Sequence, residues 1–243
     1  ERLFRYIVNT FMKATGRKLT SLEVHDIVCL TGEVVIAGAV RRSALISLSD
    51  LYDREMAMAK SGPWWETSGH RSLANNSAVY ETRPTLSNFM IEWSSLYDSH
   101  SGERGICNRE AMATLAAKAG RETEDISFGT NPCSEIILRP QQFCNLTEVV
   151  IRPDDDLVTL SEKVRMATIL GTIQSKFTNF TYLEDEWKDN CQEERLLGVS
   201  FTGVYDNTLM SGQEGLDKLR STLTLLKEVA QETNIKWARK IGI

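Results

Sequence analysis

The sequence predicts an α/β fold with largely parallel strands. Apolar runs of strand length alternate with helical segments of ten or more residues, and this alternation is typical of strand–helix–strand units. The composition, 42% apolar and 25% charged, is that of an ordinary globular protein. No internal repeat or low-complexity linker interrupts the pattern. At 243 residues the chain has room for one large domain or two small ones.

Two helices are predicted at the start of the chain. Apolar residues recur at helical spacing over residues 2–14. Thr20 offers an N-cap for a second helix through about Ile36, and Glu23, three residues later, completes a capping box. Cys29 lies in the apolar part of this helix, which indicates a core thiol.

The alternation continues along the rest of the chain. A basic turn at Arg41-Arg42 leads into a buried strand over residues 43–48. Further strands are predicted at residues 77–80, 106–108, 145–151 and 196–203, and helices at 50–60, 86–97, 112–120, 160–176 and 215–239. Residues 177–183 suit either a strand or an extension of the helix before them. Asn75 and Asn76 enter a strand, and because buried amides need partners, we expect them to hold neighbouring loops.

Charge and residue usage argue against several classes of protein. The net charge of −5 does not fit binding to a nucleic-acid polymer, although it allows nucleotide ligands. No apolar run approaches the ~18–20 residues that span a bilayer, and no signal-peptide pattern is present at the start. Five cysteines without CxxC spacing indicate reduced thiols, and three scattered histidines offer no metal-site spacing. The sequence therefore predicts a cytoplasmic protein with no metal site and no membrane span.

One stretch carries side chains suited to chemistry, Asn131-Pro132-Cys133-Ser134-Glu135. If the stretch is extended, Asn131, Cys133 and Glu135 point to one face, which brings an amide, a thiol and a carboxylate together. Such a group suits a hydrogen-atom or hydride-level redox site, or a nucleophile. The alternative is a proline-containing turn with a buried, unreactive cysteine.

Several segments resemble one enzyme family in the same order. The pattern Asn-Pro-Cys-Ser-Glu-Ile, followed eleven residues after Cys133 by Cys144-Asn-Leu, resembles the catalytic finger loop of ribonucleotide reductases. Further resemblance covers nearly the whole chain, at residues 38–46, 73–80, 101–106 and 196–203. These segments look most similar to the adenosylcobalamin-dependent branch, class II.

The resemblance implies part of a ten-stranded α/β barrel, with the finger loop rising through its centre. Residues 1–243 would form a single piece of that catalytic barrel. Both ends look cut, because Glu1 already lies within a helical pattern and the last residues carry no stop signal. We therefore expect flanking N- and C-terminal segments, or separate chains of the same enzyme, as partners.

The implied activity is the reduction of ribonucleotides to 2′-deoxyribonucleotides by thiyl-radical chemistry. A cysteine thiyl can abstract the ribose 3′-hydrogen because S–H and activated C–H bonds are of similar strength. By resemblance, Cys133 is the thiyl position and Glu135 takes the 3′-hydroxyl proton. Asn131 would hydrogen-bond the ribose hydroxyls, and Cys144 would be one of two thiols that close to a disulfide. The resemblance also places the substrate against the loop residues Asn131, Pro132, Cys133, Ser134 and Glu135.

The second reducing thiol has no matching position in this chain. Cys29 is the only cysteine before Arg41, and its helical setting does not fit the early strand that carries this thiol in the family. We assign the partner thiol to an N-terminal portion outside the chain. The implied cofactors are adenosylcobalamin, with contacts mostly outside this chain, and an external dithiol reductant of the thioredoxin type. The chain alone is therefore expected not to turn over.

The resemblance also makes residues Gly38, Arg41 and Arg42 a candidate relay between a nucleotide effector and the substrate base. The alternative for Arg41-Arg42 is a solvated or salt-bridged pair. Two rival functions remain for the whole chain. One is a class I-type reductase chain that draws its radical from a separate metal-containing subunit. The other is a nucleotide-binding module without catalysis, although the presence of all four candidate catalytic residues argues against decay.

Overall fold

The computed structural model describes residues 1–37 and 41–243. Internal contacts divide the chain into two compact units, Glu1–Pro140 and Gln141–Ile243. Helices and strands occur in both units, so the predicted α/β class is confirmed. In the part of the chain that is described, no helix has the length and apolarity needed to cross a bilayer.

The first unit is built on a parallel sheet. Its helices are α1 (Arg2–Lys13), α2 (Ser21–Val34), α3 (Arg54–Ala57), α4 (Trp64–Ser68), α5 (Leu86–Asp98) and α6 (Arg109–Lys118). Its strands are β1 (Ile36–Ala37), β2 (Arg41–Arg42), β3 (Leu45–Asp50), β4 (Ala74–Tyr80), β5 (Gly105–Asn108), β6 (Gly129–Thr130) and β7 (Ile137–Leu138). The strands β3, β4 and β5 pair in parallel with β4 at the centre. The short pairs β1–β2 and β6–β7 are antiparallel.

The second unit packs helices against a parallel pair of strands, β8 (Asn145–Val150) and β9 (Leu197–Thr202). Its helices are α7 (Leu157–Gln174), α8 (Asp185–Glu194) and α9 (Leu216–Ile241). One apolar cluster, which includes Val149, Ile151, Leu160, Val164 and Leu226, forms its core. This cluster joins the end of β8 to helices α7 and α9, so the two long helices cover the strands through apolar packing.

Local sequence signals correctly predicted the position of most helices and strands, but some helix boundaries differ. The capping box is confirmed, since Glu23 N donates to Thr20 Oγ1 at 3.2 Å and Thr20 N donates to Glu23 Oε2 at 2.9 Å. The helix ends at Val34, two residues before the predicted end. The predicted helix over residues 50–60 shortens to Arg54–Ala57, which begins where Asp53 accepts from Met56 N.

One prediction in the second unit is wrong. Residues 177–183 are neither strand nor helix and form a loop with a turn. Helix α8 was not predicted from the sequence, and its Cys191 is buried. Its Sγ accepts a hydrogen bond from Phe143 N at 3.2 Å. A helix with one buried face and many charges carries a weak apolar period, which explains why the sequence pattern did not reveal it.

A buried group of charged side chains joins helix α2 to the segment before β4. Arg71 Nε and Nη2 each lie 2.6 Å from an Asp26 carboxylate oxygen, and His70 Nε2 lies 3.1 Å from Asp26 Oδ1. Tyr6 Oη donates to the same carboxylate at 3.2 Å. Despite its burial, hydrogen bonds from Arg71, His25 and His70 hold the pKa of Asp26 far below its ordinary value. The carboxylate therefore stays ionised and ties three elements together.

His25 completes this group and makes stability depend on pH. Burial lowers its pKa, but hydrogen bonds with Asp26, Cys29 and Asn76 outweigh that effect and raise the pKa to about 9. Because its pKa is higher in the folded protein, protonated His25 stabilises the fold fully at pH values below the unfolded pKa, near 6.5. This stabilisation disappears as the pH rises through the folded pKa of about 9. We expect the free energy of unfolding to fall by about 3 kcal/mol across that window.

Denaturant unfolding at pH 6 to 10 measures this effect. The matched variant His25→Gln removes the titrating ring, so the stability difference between wild type and variant should shrink as the pH rises from about 6.5 to 9 and stay small above pH 9. Subtracting the variant also removes contributions from Cys107, whose pKa is raised by burial, and from Tyr6, whose pKa is raised first by burial and then by Asp26. A difference that stays constant from pH 6 to 10 would show that folding does not raise the pKa of His25.

Candidate active-site loop

The Asn131–Glu135 stretch lies at the tip of an antiparallel hairpin in the first unit. Gly129 pairs with Leu138 and Thr130 pairs with Ile137, which closes a loop over residues 131–136. The loop is short, so its tip stays close to the two strands that support it. A side chain on this tip projects from a defined base rather than from a long flexible segment.

The loop is a turn and not an extended segment, so the predicted alternation of side chains is wrong. Ser134 N donates to Asn131 O at 2.9 Å, which closes a β-turn with Pro132 in its second position. Ser134 then adopts φ +67°, a left-handed conformation that is uncommon for residues other than Gly, Asn and Asp. Proline with its fixed φ favours the turn and accounts for the difference.

Asn131 helps to build the loop with its own side chain. Its Oδ1 accepts a hydrogen bond from Ile136 N at 3.0 Å, across the mouth of the loop. The amide oxygen is therefore used within the loop, and the NH₂ group is the part of Asn131 that is suited to a ligand's oxygen atoms. Donation to ribose hydroxyls, the role predicted for Asn131, is compatible with this arrangement.

Two arginines fix the base of the hairpin, and no sequence pattern predicted either of them. Arg109 Nε donates to Phe128 O at 3.1 Å, and Arg121 Nη1 donates to Ile137 O at 2.8 Å. Phe128 itself is 1% exposed and lies under the Arg121 guanidinium, 5.3 Å from the ring centre. These contacts span 16 and 19 residues, so only the folded chain brings the groups together.

The sheet also supports the tip of the loop. Asn75 Nδ2, at the start of β4, donates to Pro132 O at 2.6 Å. The expectation that this amide holds a neighbouring loop is confirmed. Near the base, a Cβ added at Gly129 would lie 3.4 Å from Leu48 Cδ1, so the hairpin packs directly on β3. The loop is thus held by both neighbouring strands.

Cys133 and Glu135 are exposed at the tip, together with Ser134, whereas Asn131 and Pro132 are half-buried. The alternative prediction, that Cys133 is a buried cysteine, is therefore wrong. An exposed thiol followed two residues later by a carboxylate leaves both groups accessible to a ligand. In general, a thiol can support hydrogen-atom transfer and a carboxylate can support proton transfer.

Cys144 lies in the second unit, immediately before β8. It is half-buried, with Sγ 3.8 Å from the Asn145 carbonyl oxygen. Strand β9 runs beside it, and a Cβ added at Gly198 would lie 3.9 Å from Cys144 Sγ and 2.7 Å from Leu146 Cδ2. Glycine at this position lets the two strands approach closely beside the thiol. Cys29, by contrast, is fully buried on α2, as expected for a core thiol.

The structure describes only part of the predicted specificity relay, which comprises Gly38, Arg41 and Arg42. Gly38 lies outside the described residues. Arg41 and Arg42 form strand β2, whose backbone pairs with Ala37 and Ile36. Within residues 1–37 and 41–243, no group of three or more His, Cys, Asp or Glu side chains is arranged to hold a metal ion.

Three curated proteins that are similar to this chain share one name. The adenosylcobalamin-dependent ribonucleoside-triphosphate reductase of Lacticaseibacillus paracasei is 31% identical over 208 residues, 82% of this chain and 26% of that protein. The protein of the same name from Lactobacillus helveticus is 29% identical over 84% of this chain and 27% of its own length. The Lactobacillus leichmannii protein is 28% identical over 80% and 26%. The chain is thus similar to a part of the reductases that carry this name.

The chain spans about a quarter of the length of these reductases. The resemblance seen in the sequence, to a portion of the class II enzymes, is therefore confirmed. The names of these homologues favour the cobalamin branch over a reductase with a separate metal subunit, and over a module without catalysis. No protein-family model matches the chain.

Proposed function

We propose that this chain supplies the radical-bearing loop of an adenosylcobalamin-dependent ribonucleotide reductase, as one segment of a larger enzyme. The observation that carries the proposal is the exposed Cys133 on a hairpin anchored by Arg109, Arg121 and Asn75. The similarity over most of the chain to reductases of this kind supports it. Because those relatives are named for ribonucleoside triphosphates, a triphosphate is the proposed substrate.

The ten-stranded barrel with a central finger loop is part of this proposal, with residues 1–243 as a single piece of it. The parallel sheet β3–β4–β5, the parallel pair β8–β9 and the β6–β7 hairpin supply elements that such a barrel needs. Flanking segments or chains of the enzyme would complete the remaining strands.

The proposed roles follow from the chemistry of each side chain. When bound, adenosylcobalamin supplies the radical that removes the hydrogen atom from a cysteine thiol. The exposure of Cys133 fits that requirement, and the other cofactor contacts are assigned to parts of the enzyme outside this chain. The Cys133 thiyl takes the 3′-hydrogen, so an S–H bond forms as the C3′–H bond breaks. Asn131 NH₂ orients the ribose hydroxyls, and Glu135 accepts the 3′-hydroxyl proton.

Reduction then needs two electrons from a pair of thiols. One thiol gives a proton to the departing 2′-hydroxyl, which leaves as water, and the other gives a hydrogen atom to C2′, so that a C2′–H bond replaces the C2′–O bond. As the two sulfurs close to a disulfide, the remaining electron passes to the sugar and Glu135 returns its proton to the 3′-oxygen. Hydrogen then returns from Cys133 to C3′, which regenerates the thiyl. Cys144 is the proposed first member of the pair, and the second is assigned to a segment before this chain. An external dithiol, carried by a thioredoxin-like protein, would reopen the disulfide. A nucleotide effector acting through Gly38, Arg41 and Arg42, and a cytoplasmic location, complete the proposal.

The test is deoxynucleotide formation by the assembled enzyme that contains this chain, with a ribonucleoside triphosphate and a dithiol. Product should appear only when adenosylcobalamin is present. Product that forms without the cobalamin but requires a metal-containing subunit would overturn the cofactor assignment. A complete assembly that binds the cofactor and makes no product would overturn the proposed activity.

Cys144→Ser should separate radical chemistry from reduction. The variant keeps Cys133, so the 3′-hydrogen is still removed, but one of the two reducing thiols is missing. With a substrate tritiated at C3′, we expect tritium to appear in water while deoxynucleotide falls at least about 100-fold. Cys107→Ser in β5 is the matched control, because it makes the same atomic change away from the loop. Wild-type product from Cys144→Ser would show that this thiol does not reduce the substrate.

A further inference from the structure

The contact between Asn75 and Pro132 fixes the peptide that precedes the reactive cysteine. Pro132 O belongs to the peptide group that joins Pro132 to Cys133, and Asn75 Nδ2 donates to it at 2.6 Å. Proline locks its own φ, so rotation of this peptide about ψ is the main freedom left in the turn. Type I and type II turns differ by a flip of this central peptide, and proline at the second position allows both.

We propose that Asn75 is a positioning residue for the Cys133 loop, because its side chain selects one orientation of the Pro132–Cys133 peptide. That orientation sets the direction in which the Cys133 side chain leaves the backbone. This inference rests on the function proposed above and deepens it. Asn75 touches the loop and not the reacting atoms, so it acts through Cys133.

The strand that carries Asn75 is itself firmly held. Strand β4 is central in its sheet, with Asn75 paired to Ile46 of β3. The next residue, Asn76, is 3% exposed and faces the other side of the sheet, where its Oδ1 lies 3.1 Å from His25 Nε2. Buried contacts on one face therefore fix the register that presents Asn75 on the other face.

A partly buried ion pair adds to this support. Asn76 N donates to Glu103 Oε2 at 3.1 Å, and Glu103 Oε1 lies 2.7 Å from Lys60 Nζ. Lys60, which is 6% exposed, also donates to the Ala74 carbonyl. The residues on either side of Asn75 are thus tied to side chains, and a donor on such a rigid element can place a loop more precisely than a donor on another loop.

Asn75 is exposed, which separates positioning from stability. Removing one exposed hydrogen bond changes global stability little, but small misplacement of a reacting group can lower a rate about 100-fold. We therefore expect Asn75→Ala in the assembled enzyme to lower kcat by about 10- to 100-fold. The KM for the nucleotide and the midpoint of global unfolding should stay close to those of wild type.

A readout that does not depend on turnover reports on the loop directly. Ser134 N and Ile136 N both donate within the loop to Asn131, so their hydrogen exchange measures how often the loop opens. Loss of the Asn75 contact should speed exchange at these amides by roughly 2- to 10-fold. Asn88→Ala, which changes an exposed asparagine on α5, is the matched control and should alter neither exchange nor kcat.

Two further variants test the donor itself. Asn75→Asp keeps the size of the side chain but replaces the donor by a carboxylate that repels Pro132 O, so it should behave like Asn75→Ala or worse. Asn75→Gln keeps the amide on a longer stem and should recover part of kcat and of the slow exchange. Unchanged exchange at Ser134 and Ile136 in both Asn75→Ala and Asn75→Asp would overturn the proposal, whatever their activity.

The two hypotheses fail in different ways. If wild type does not reduce ribonucleotides, the proposed function fails, but faster loop exchange in Asn75→Ala would still support the positioning role. If wild type is active and Asn75→Ala has wild-type kcat, the positioning role fails, while the proposed function stands.

Discussion

Cys133→Ser should eliminate deoxynucleotide formation, with a fall of at least about 1,000-fold, which corresponds to roughly 4 kcal/mol in the barrier. A serine O–H bond is too strong to yield an oxygen radical under these conditions, so no group remains to remove the 3′-hydrogen. The variant should therefore also fail to release tritium from a 3′-labelled substrate. Loss of both signals distinguishes it from Cys144→Ser, which should lose the product alone.

The fold should tolerate this substitution, because Cys133 is exposed at the tip of the hairpin. We expect the unfolding free energy of Cys133→Ser to lie within about 0.5 kcal/mol of wild type, as for most surface changes. Nucleotide binding, measured by calorimetry, should also be nearly unchanged. Retained tritium release in this variant would move the radical to another residue, and loss of folding would revive a purely structural role for the thiol.

Gly203→Ala should produce a large loss of stability in the second unit. Gly203 has φ +75° and ψ +19° at the end of β9, a left-handed conformation that costs a residue with a side chain about 1–2 kcal/mol. An added Cβ would also lie 2.5 Å from the Ile151 carbonyl oxygen, a backbone atom that cannot move aside cheaply. Together these effects should lower the unfolding free energy by about 2–4 kcal/mol.

Gly120→Ala provides the matched control for this prediction. Gly120 has nearly the same φ, +77°, but an added Cβ there would meet nothing within 4 Å. It should therefore show only the conformational cost of about 1 kcal/mol. Urea denaturation of both variants measures the difference. Equal losses in the two would show that the clash with Ile151 is relieved by a backbone shift.

Individual helices and loops show how much of the fold can be predicted from the sequence alone. Helix α2 begins where the Thr20–Glu23 capping box predicted, and helix α5 begins at the predicted Leu86, because caps and helical spacing are local signals. Helix α8 was missed because its polar sequence hides the single buried face that Cys191 marks. The segment 177–183 contains aromatic and Thr residues. Packing against neighbouring residues, and not intrinsic propensity, decides the secondary structure that they adopt.

Some features of the candidate site could likewise be predicted from the sequence, and others could not. The residue types around Cys133 left a redox site, a nucleophile and a buried cysteine as alternatives, and the resemblance of several segments in the same order indicated the enzyme family. The shape of the loop was not predictable from that pattern. An alternating strand and a proline turn fit the same five residues, and the hydrogen bond from Ser134 to Asn131 decides for the turn.

The sequence by itself therefore determined which residues are candidates for the chemistry, which branch of the reductases they resemble, and the α/β class with parallel strands. Only the tertiary structure decided that Cys133 is exposed, that Arg109 and Arg121 hold the hairpin, and that Asn75 reaches Pro132. The reason is physical: caps and periodicity act within a few residues along the chain. The contact between Asn75 and Pro132 spans 57 residues, and no local preference specifies a contact that forms only when the sheet has assembled.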